Sequence, residues 1–168
     1  MQEFDESSLK AKVSNMMVQL LIAITKENLD DVLHFLKEQP REYAKSIINK
    51  LQTKKVHQVF DELNISSISL GFVEEKDNAL IYSAIVNTKS LNYKVDNNNN
   101  IVEGNNSYRT DKTYYLKLIK NKHTKEGIVL RCPSCGHSMD VNYSGKCPYC
   151  DSIFNQEDYD YQILEIKE

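Results

Sequence analysis

The chain has 168 residues, 40% apolar and 27% charged, with a formal net charge of −3. That length suits one domain with a small attachment, and the composition is enough for an ordinary core. The balance excludes the bulk basic field usual in nucleic-acid binding, so nucleic acid is not an expected partner.

No run reaches the roughly 18 apolar residues a membrane span needs. The longest candidate, Met16 to Ile24, is too short and carries Gln19. The start, MQEFDESSLK, is acidic and polar and does not read as a signal peptide. The expected location is therefore cytoplasmic or membrane-associated.

Leu9, Val13, Met16, Leu20 and Ile24 recur at helical spacing, and Asp5, Ser7 or Ser8 can cap that helix. A second, short helix is expected after Asn28, with Asp30 and Asp31 in its first turn and Leu29, Val32, Leu33 and Leu36 as its apolar side. Pro40 ends it and suits the first turn of a third helix. That helix carries Tyr43, Ile47, Leu51, Val56, Phe60 and Leu63, with an irregularity near Thr53, and ends near Leu63.

The period then changes. Ile68, Leu70 and Phe72 alternate with small residues, which is strand spacing. Ala79 to Val95 predicts a long, bent strand. Asp96 to Asn100 is a turn, rich in Asn because Asn tolerates left-handed backbone angles. Another strand follows from Tyr108 to Ile119, then a polar linker from Asn121 to Gly127. A closing strand runs from Tyr159 to Ile166. Helices followed by antiparallel strands define an α+β class. The gap of roughly forty residues before the closing strand is long for a structureless loop, so the insert needs its own stabilising device.

That device is the cysteine set. Cys132 and Cys135 form one C-x-x-C pair, Cys147 and Cys150 a second, and eleven residues separate the pairs. Two thiolates at that spacing reach one ion from a tight turn, and Asn142 to Gly145 supplies a turn between the pairs. Four sulfurs closing a tetrahedral shell are the pattern of a structural Zn²⁺, one per chain. Iron in a rubredoxin-like site uses similar knuckles with pairs farther apart, and redox thiols are the remaining alternative. The module is too small for a core of its own, so metal binding would supply most of its folding free energy. Its Arg131, His137 and Lys146 are offset by Asp140 and Asp151, so it carries no basic stripe. The domain division is 1–127 plus 155–168 for the α+β body and 128–154 for the zinc-ribbon insertion.

The segment SLNYKVDNNNNIVEGNNSYRTDKTYYLKLIK from Ser90 resembles bacterial members of the Tim-forty-four-like family. The matching pieces are Val95-Asp96, the step Ile101-Val102-Glu103-Gly104, and the aromatic strand Tyr114-Tyr115-Leu116. CPSCG from Cys132 and GKCPYC from Gly145, ahead of a closing strand, resemble the ribbon of some members. The resemblance implies helices packed on a curved antiparallel sheet, the cystatin-like or nuclear-transport-factor-two-like cone. It also implies a non-enzymatic protein-binding or membrane-proximal scaffold, with a link to protein transport. The ribbon and Tyr161, where bacterial relatives often carry tryptophan, depart from the mitochondrial namesake, and a mitochondrial role does not carry over.

Other features carry weaker readings. Val13, Met16, Met17, Leu20, Leu21 and Ile24, flanked by Lys10, Lys12 and Lys26, could rest on a membrane surface. Packing on the sheet or on a partner chain is the favoured reading, because interfacial helices are usually more cationic. Phe72, Tyr82, Tyr93, Tyr114 and Leu116 could line an apolar cavity, or be plain core aromatics. His34, His57 and His123 stand in no catalytic pattern, and Asp30-Asp31 and Glu74-Glu75 read as solvated element ends. The expected function is thus a scaffold with a protein partner, peripheral membrane contact through the first helix, and room for a homo-oligomer. The alternative is a small-ligand-binding or enzymatic cone with an apolar cavity.

Overall fold

The structure, a computed structural model, describes residues 5–121, 129–131, 138–140 and 161–168. Helix α1 spans Glu6–Lys26 and starts at Asp5, whose carboxylate accepts a hydrogen bond from the Ser8 amide at 3.1 Å. That bond satisfies one of the amides every helix start leaves without a partner. Glu27, with φ 55°, ends the helix in the left-handed conformation.

The expected second helix does not form. The Asn28 side chain accepts from the Asp30 amide at 2.9 Å, which turns the chain at the place where a helix would start. Only Leu33–Phe35 makes a short 3-10 turn. Arg41 holds that turn by donating to the carbonyls of Leu33 at 2.7 Å and Leu36 at 2.9 Å.

Helix α2 spans Glu38–Lys54, with Pro40 in its first turn, and closes on Lys55 at φ 55°. It does not run on to Leu63. Val56, Phe60 and Leu63 lie instead on strand β1, Val56–Lys76. The register of β1 shifts between Asp61 and Asn64 and again between Ile65 and Ser67, and Glu62 takes φ 51°. Each extra residue flips the inward set by one position. Val56 and Phe60 therefore share a face with Leu63 and Ile65, and then with Ile68 and Leu70, all packed against the core. Read without the bulges, the spacing of 56, 60 and 63 mimics a helix.

Asp77 and Asn78, both at positive φ, make the two-residue turn into β2, Ala79–Asp96. This is the left-handed turn that matches the natural twist of a hairpin. Strand β3 (Ile101–Gly104) folds back on the end of β2, and β4 (Thr110–Asn121) pairs along its length. The turn before β3 is held by the Asp96 carboxylate, which accepts from the amides of Asn98 and Asn100. The Asn100 amide, then the Asn98 amide, hold that carboxyl below the usual range against the opposing cost of burial.

Strands β5 (Val129–Arg131) and β6 (Ser138–Asp140) pair, among the described residues, only with each other, in a separate two-stranded sheet. Strand β7, Tyr161–Lys167, then returns to pair with β4. The main sheet is antiparallel in the order β1-β2-β4-β7, with β3 on the end of β2. The fold is α+β, with two helices on one face of an open, curved sheet. Tyr82, Ala84 and Val86 from β2 meet Tyr114, Leu116 and Leu118 from β4 in one buried cluster with Ile163 and Ile166 of β7. Val13, Met16, Met17, Leu20, Leu21 and Ile24 of α1 are buried in the same cluster. That is where the apolar stripe of the first helix goes.

The two edges of the sheet are treated differently. At β7, the Lys37 amide donates to the Ile163 carbonyl at 2.9 Å, and the Gln162 side chain donates to the His34 carbonyl at 2.8 Å. The Gln39 side-chain amide donates to the Ile166 carbonyl at 3.0 Å and accepts from the Ile166 amide at 2.8 Å. One side chain thus replaces a strand partner, and this edge is covered. Among the described residues strand β1 pairs with β2 alone.

Candidate functional site

The inner face of the sheet changes character along β2 and β4. Along β2 the inward positions run Tyr82, Ala84, Val86 and then Thr88, Ser90 and Lys94. Along β4 they run Leu118, Leu116, Tyr114 and then Lys112, which pairs with Thr88. The apolar half lies under α1. Over the polar half lies α2, whose Tyr43, Ile47, Lys50, Leu51 and Lys54 recur at helical spacing.

Between them is a half-open cleft of about 450 Å³, within the size range of small-molecule sites. Its floor includes Leu21, Ile24, Ile47, Leu51, Val56 and Phe60, and its rim carries Lys50, Lys54, Lys94, Lys112, Glu103 and Glu168. Gln58 lies at the back, buried, donating from its amide to Asn92 Oδ1 at 2.7 Å and to the Val59 carbonyl at 3.0 Å.

The charges on the rim are partly matched. Lys94 Nζ meets Glu103 Oε2 at 2.6 Å, opposite it in the β2–β3 register. The hydrogen bond and charge of Lys94 hold Glu103 below the usual carboxylate range, with a smaller contribution from Lys54. Lys112 Nζ meets Glu168 Oε1 at 2.5 Å, and Tyr43 lines the cleft beside them. Burial opposes the charge on Glu168, but Lys112 and Tyr43 outweigh it and keep the carboxyl ionised. Burial first, and the Glu168 charge second, push the Tyr43 and Tyr114 phenols well above their ordinary values. Both stay protonated, as hydrogen-bond donors. Lys50 and Lys54 form no ion pair among the described residues.

Of the five residues expected to line a cavity, Tyr114 alone reaches this cleft. Tyr82 and Leu116 are core. Phe72 is 61% exposed near the β1–β2 turn and packs edge-on against Tyr82, ring centroids 5.7 Å apart. Tyr93 donates its hydroxyl to Asp61 at 2.7 Å. Sequence reasoning missed Lys50, Lys54, Lys94, Lys112 and Glu168. The signal for Lys50 and Lys54 was present in the α2 stripe, where lysines sit one turn from apolar residues.

Cys132, Cys135, Cys147 and Cys150 lie outside the described residues, as does His123. Their nearest described frame is the β5–β6 hairpin, whose last pair, Arg131 with Ser138, brackets 132–137 and so the first cysteine pair. Among the described residues no group of three His, Cys, Asp or Glu side chains comes together as a metal site.

His57, expected on a helix, lies on β1. Its Nδ1 meets Glu27 Oε2 and its Nε2 meets Asn97 Oδ1, each at 2.9 Å. Asn97 and then Glu27 raise its pKa. The contact joins the end of α1, the start of β1 and the β2–β3 turn, and has the form of a structural clasp. His34 packs edge-on to Phe35.

No protein-family model matches the chain, and no curated protein does. Among solved structures it is similar to the intermembrane-space region of the chloroplast protein ARC6, at 8% identity and a TM-score of 0.47, covering 99% of this chain and 97% of that one. No helix among the described residues is long and apolar enough to cross a membrane.

Proposed function

We propose that this chain is a non-enzymatic binding domain that takes an extended segment of a protein partner onto the free edge of β1, and that its cysteine-bearing insertion holds a structural zinc. The observation that carries this reading is the unequal treatment of the sheet edges. Gln39, Lys37 and Gln162 cover the β7 side, whereas β1 meets no further strand among the described residues.

Strand addition needs a regular, uncharged stretch. Bulges and the acids Asp61, Glu62, Glu74 and Glu75 interrupt most of β1. Between them Ser67 to Phe72 pairs in unbroken register with Asn87 to Tyr82 and carries no charge. Beside it the outer face presents Ile85 and its cross-strand neighbour Tyr115, 41% and 50% exposed. These two offer side-chain contacts next to the main-chain ladder.

The test is capture of the partner by the natural protein compared with capture by the double variant Ser67→Lys/Ser69→Lys. Both serines are exposed, so the fold should survive. The variant should lose the partner while keeping its melting temperature. Equal capture by both proteins would remove the β1 edge from the account.

The four cysteines support a structural zinc. Two C-x-x-C pairs eleven residues apart supply four sulfurs, enough for a closed tetrahedral shell that would leave no open position for chemistry. Protein purified without added metal should contain about one zinc per chain, whereas iron or no metal would refute the assignment. Membership of the Tim-forty-four-like type belongs to the same proposal and rests on the residues from Ser90 to Lys120 and the ribbon motif. A membrane-proximal location is supported by that likeness alone, since the apolar side of α1 is committed to the core.

A further inference from the structure

The cleft between α2 and the polar end of the sheet is independent of the β1 edge and of the cysteines. We infer that it binds a single-chain anionic amphiphile, a long-chain carboxylate, with its head among the rim lysines and its tail on the apolar floor.

Charge is the first argument. The rim holds Lys50, Lys54, Lys94 and Lys112 against Glu103 and Glu168, so its side chains carry two positive charges more than negative. Lys50 and Lys54, one turn apart on α2, have no ion-pair partner among the described residues. A polar metabolite would leave Ile47, Val56 and Phe60 against water, and an uncharged lipid would leave the lysines without a counter-ion. An anionic amphiphile satisfies both halves of the site.

Geometry is the second argument. The Glu168 carboxylate already sits where such a head would lie, bonded to Lys112 at 2.5 Å on the rim of the cleft that Tyr43 also lines. The Tyr43 phenol lines the cleft and remains protonated, so its hydroxyl can donate to a ligand carboxylate there. Glu168 is thus an internal competitor for the head position. Removing its charge should tighten binding, an outcome that simple greasy adhesion does not produce.

The experiment is titration of the protein with oleate below its micelle concentration, beside oleyl alcohol and beside vesicles of anionic phospholipid. Oleate should bind one per chain, at least tenfold more tightly than the alcohol. Lys50→Gln/Lys54→Gln, both on the exposed side of α2, should weaken oleate at least tenfold with an unchanged melting temperature. Glu168→Gln should strengthen it several-fold. Equal affinity for oleate and alcohol, indifference to the lysine pair, or binding to vesicles alone would each overturn the inference. The Ser67→Lys/Ser69→Lys variant should bind oleate normally, which keeps this result separate from the fate of the β1 edge.

Discussion

At the scale of single residues, three positions carry constraints that no neighbour can replace. Gly104 ends β3 at φ +78°, and a Cβ there would run into the Asn92 carbonyl oxygen. Gly104→Ala therefore meets both a left-handed backbone and a backbone clash, and should cost about 1–3 kcal/mol in denaturant unfolding. Gln39 stands in for a strand partner of Ile166, and Gln39→Ala leaves both the amide and the carbonyl of Ile166 without that partner. A loss of about 1–3 kcal/mol is expected, with faster amide exchange at Ile166.

His57 gives a pH signature. Its pKa is raised in the folded chain from a reference of 6.5, first by Asn97 and then by Glu27. A raised histidine adds stability that is fully present below the unfolded pKa and is lost as pH rises through the folded one. The melting temperature should thus fall over the interval just above pH 6.5, and His57→Gln should flatten that fall. An unchanged profile in the variant would show that His57 is not its source. None of these roles could be read in the sequence. Gly104 was visible only as part of a motif step, and Gln39 and His57 act through partners 127 and 30 residues away.

At the scale of elements, legibility followed regularity. Helix α1 was readable because its stripe is unbroken and Asp5 caps it, and its apolar side is the centre of the core. Leu20 is fully buried, so Leu20→Ala should cost about 2–5 kcal/mol by chemical denaturation. The start of β1 was misread as helix because bulges near Glu62 and Ser66 reset its period. The short helix after Asn28 was overestimated because good helix-start residues are also good turn residues, and here the Asn28 side chain made the turn. The cleft was missed for a related reason. Lys50 and Lys54 look like a solvated helix face, yet they border Ile47 and Leu51, and what lies opposite them is fixed by the sheet and not by α2.

At the scale of the whole molecule, one open sheet is finished in three ways. Two helices cover its inner face, the segment from His34 to Gln39 seals the β7 edge, and β1 meets no further strand among the described residues. The connection from β4 to β7 contains all four cysteines, so metal there would shorten the effective loop that brings β7 home. Cys147→Ser should loosen that connection and the pairing of β7 while α1 and α2 keep their circular-dichroism signal. Loss of all helical signal would mean instead that the insertion is integral to the core.

Whether β1 accepts a strand from a protein partner is decided by amide hydrogen exchange of this chain alone and with its captured partner. Exchange should slow within Ser67 to Phe72 and stay the same at Ile163 to Ile166. Protection at other elements, with Ser67 to Phe72 exchanging as fast as in the free chain, would contradict it.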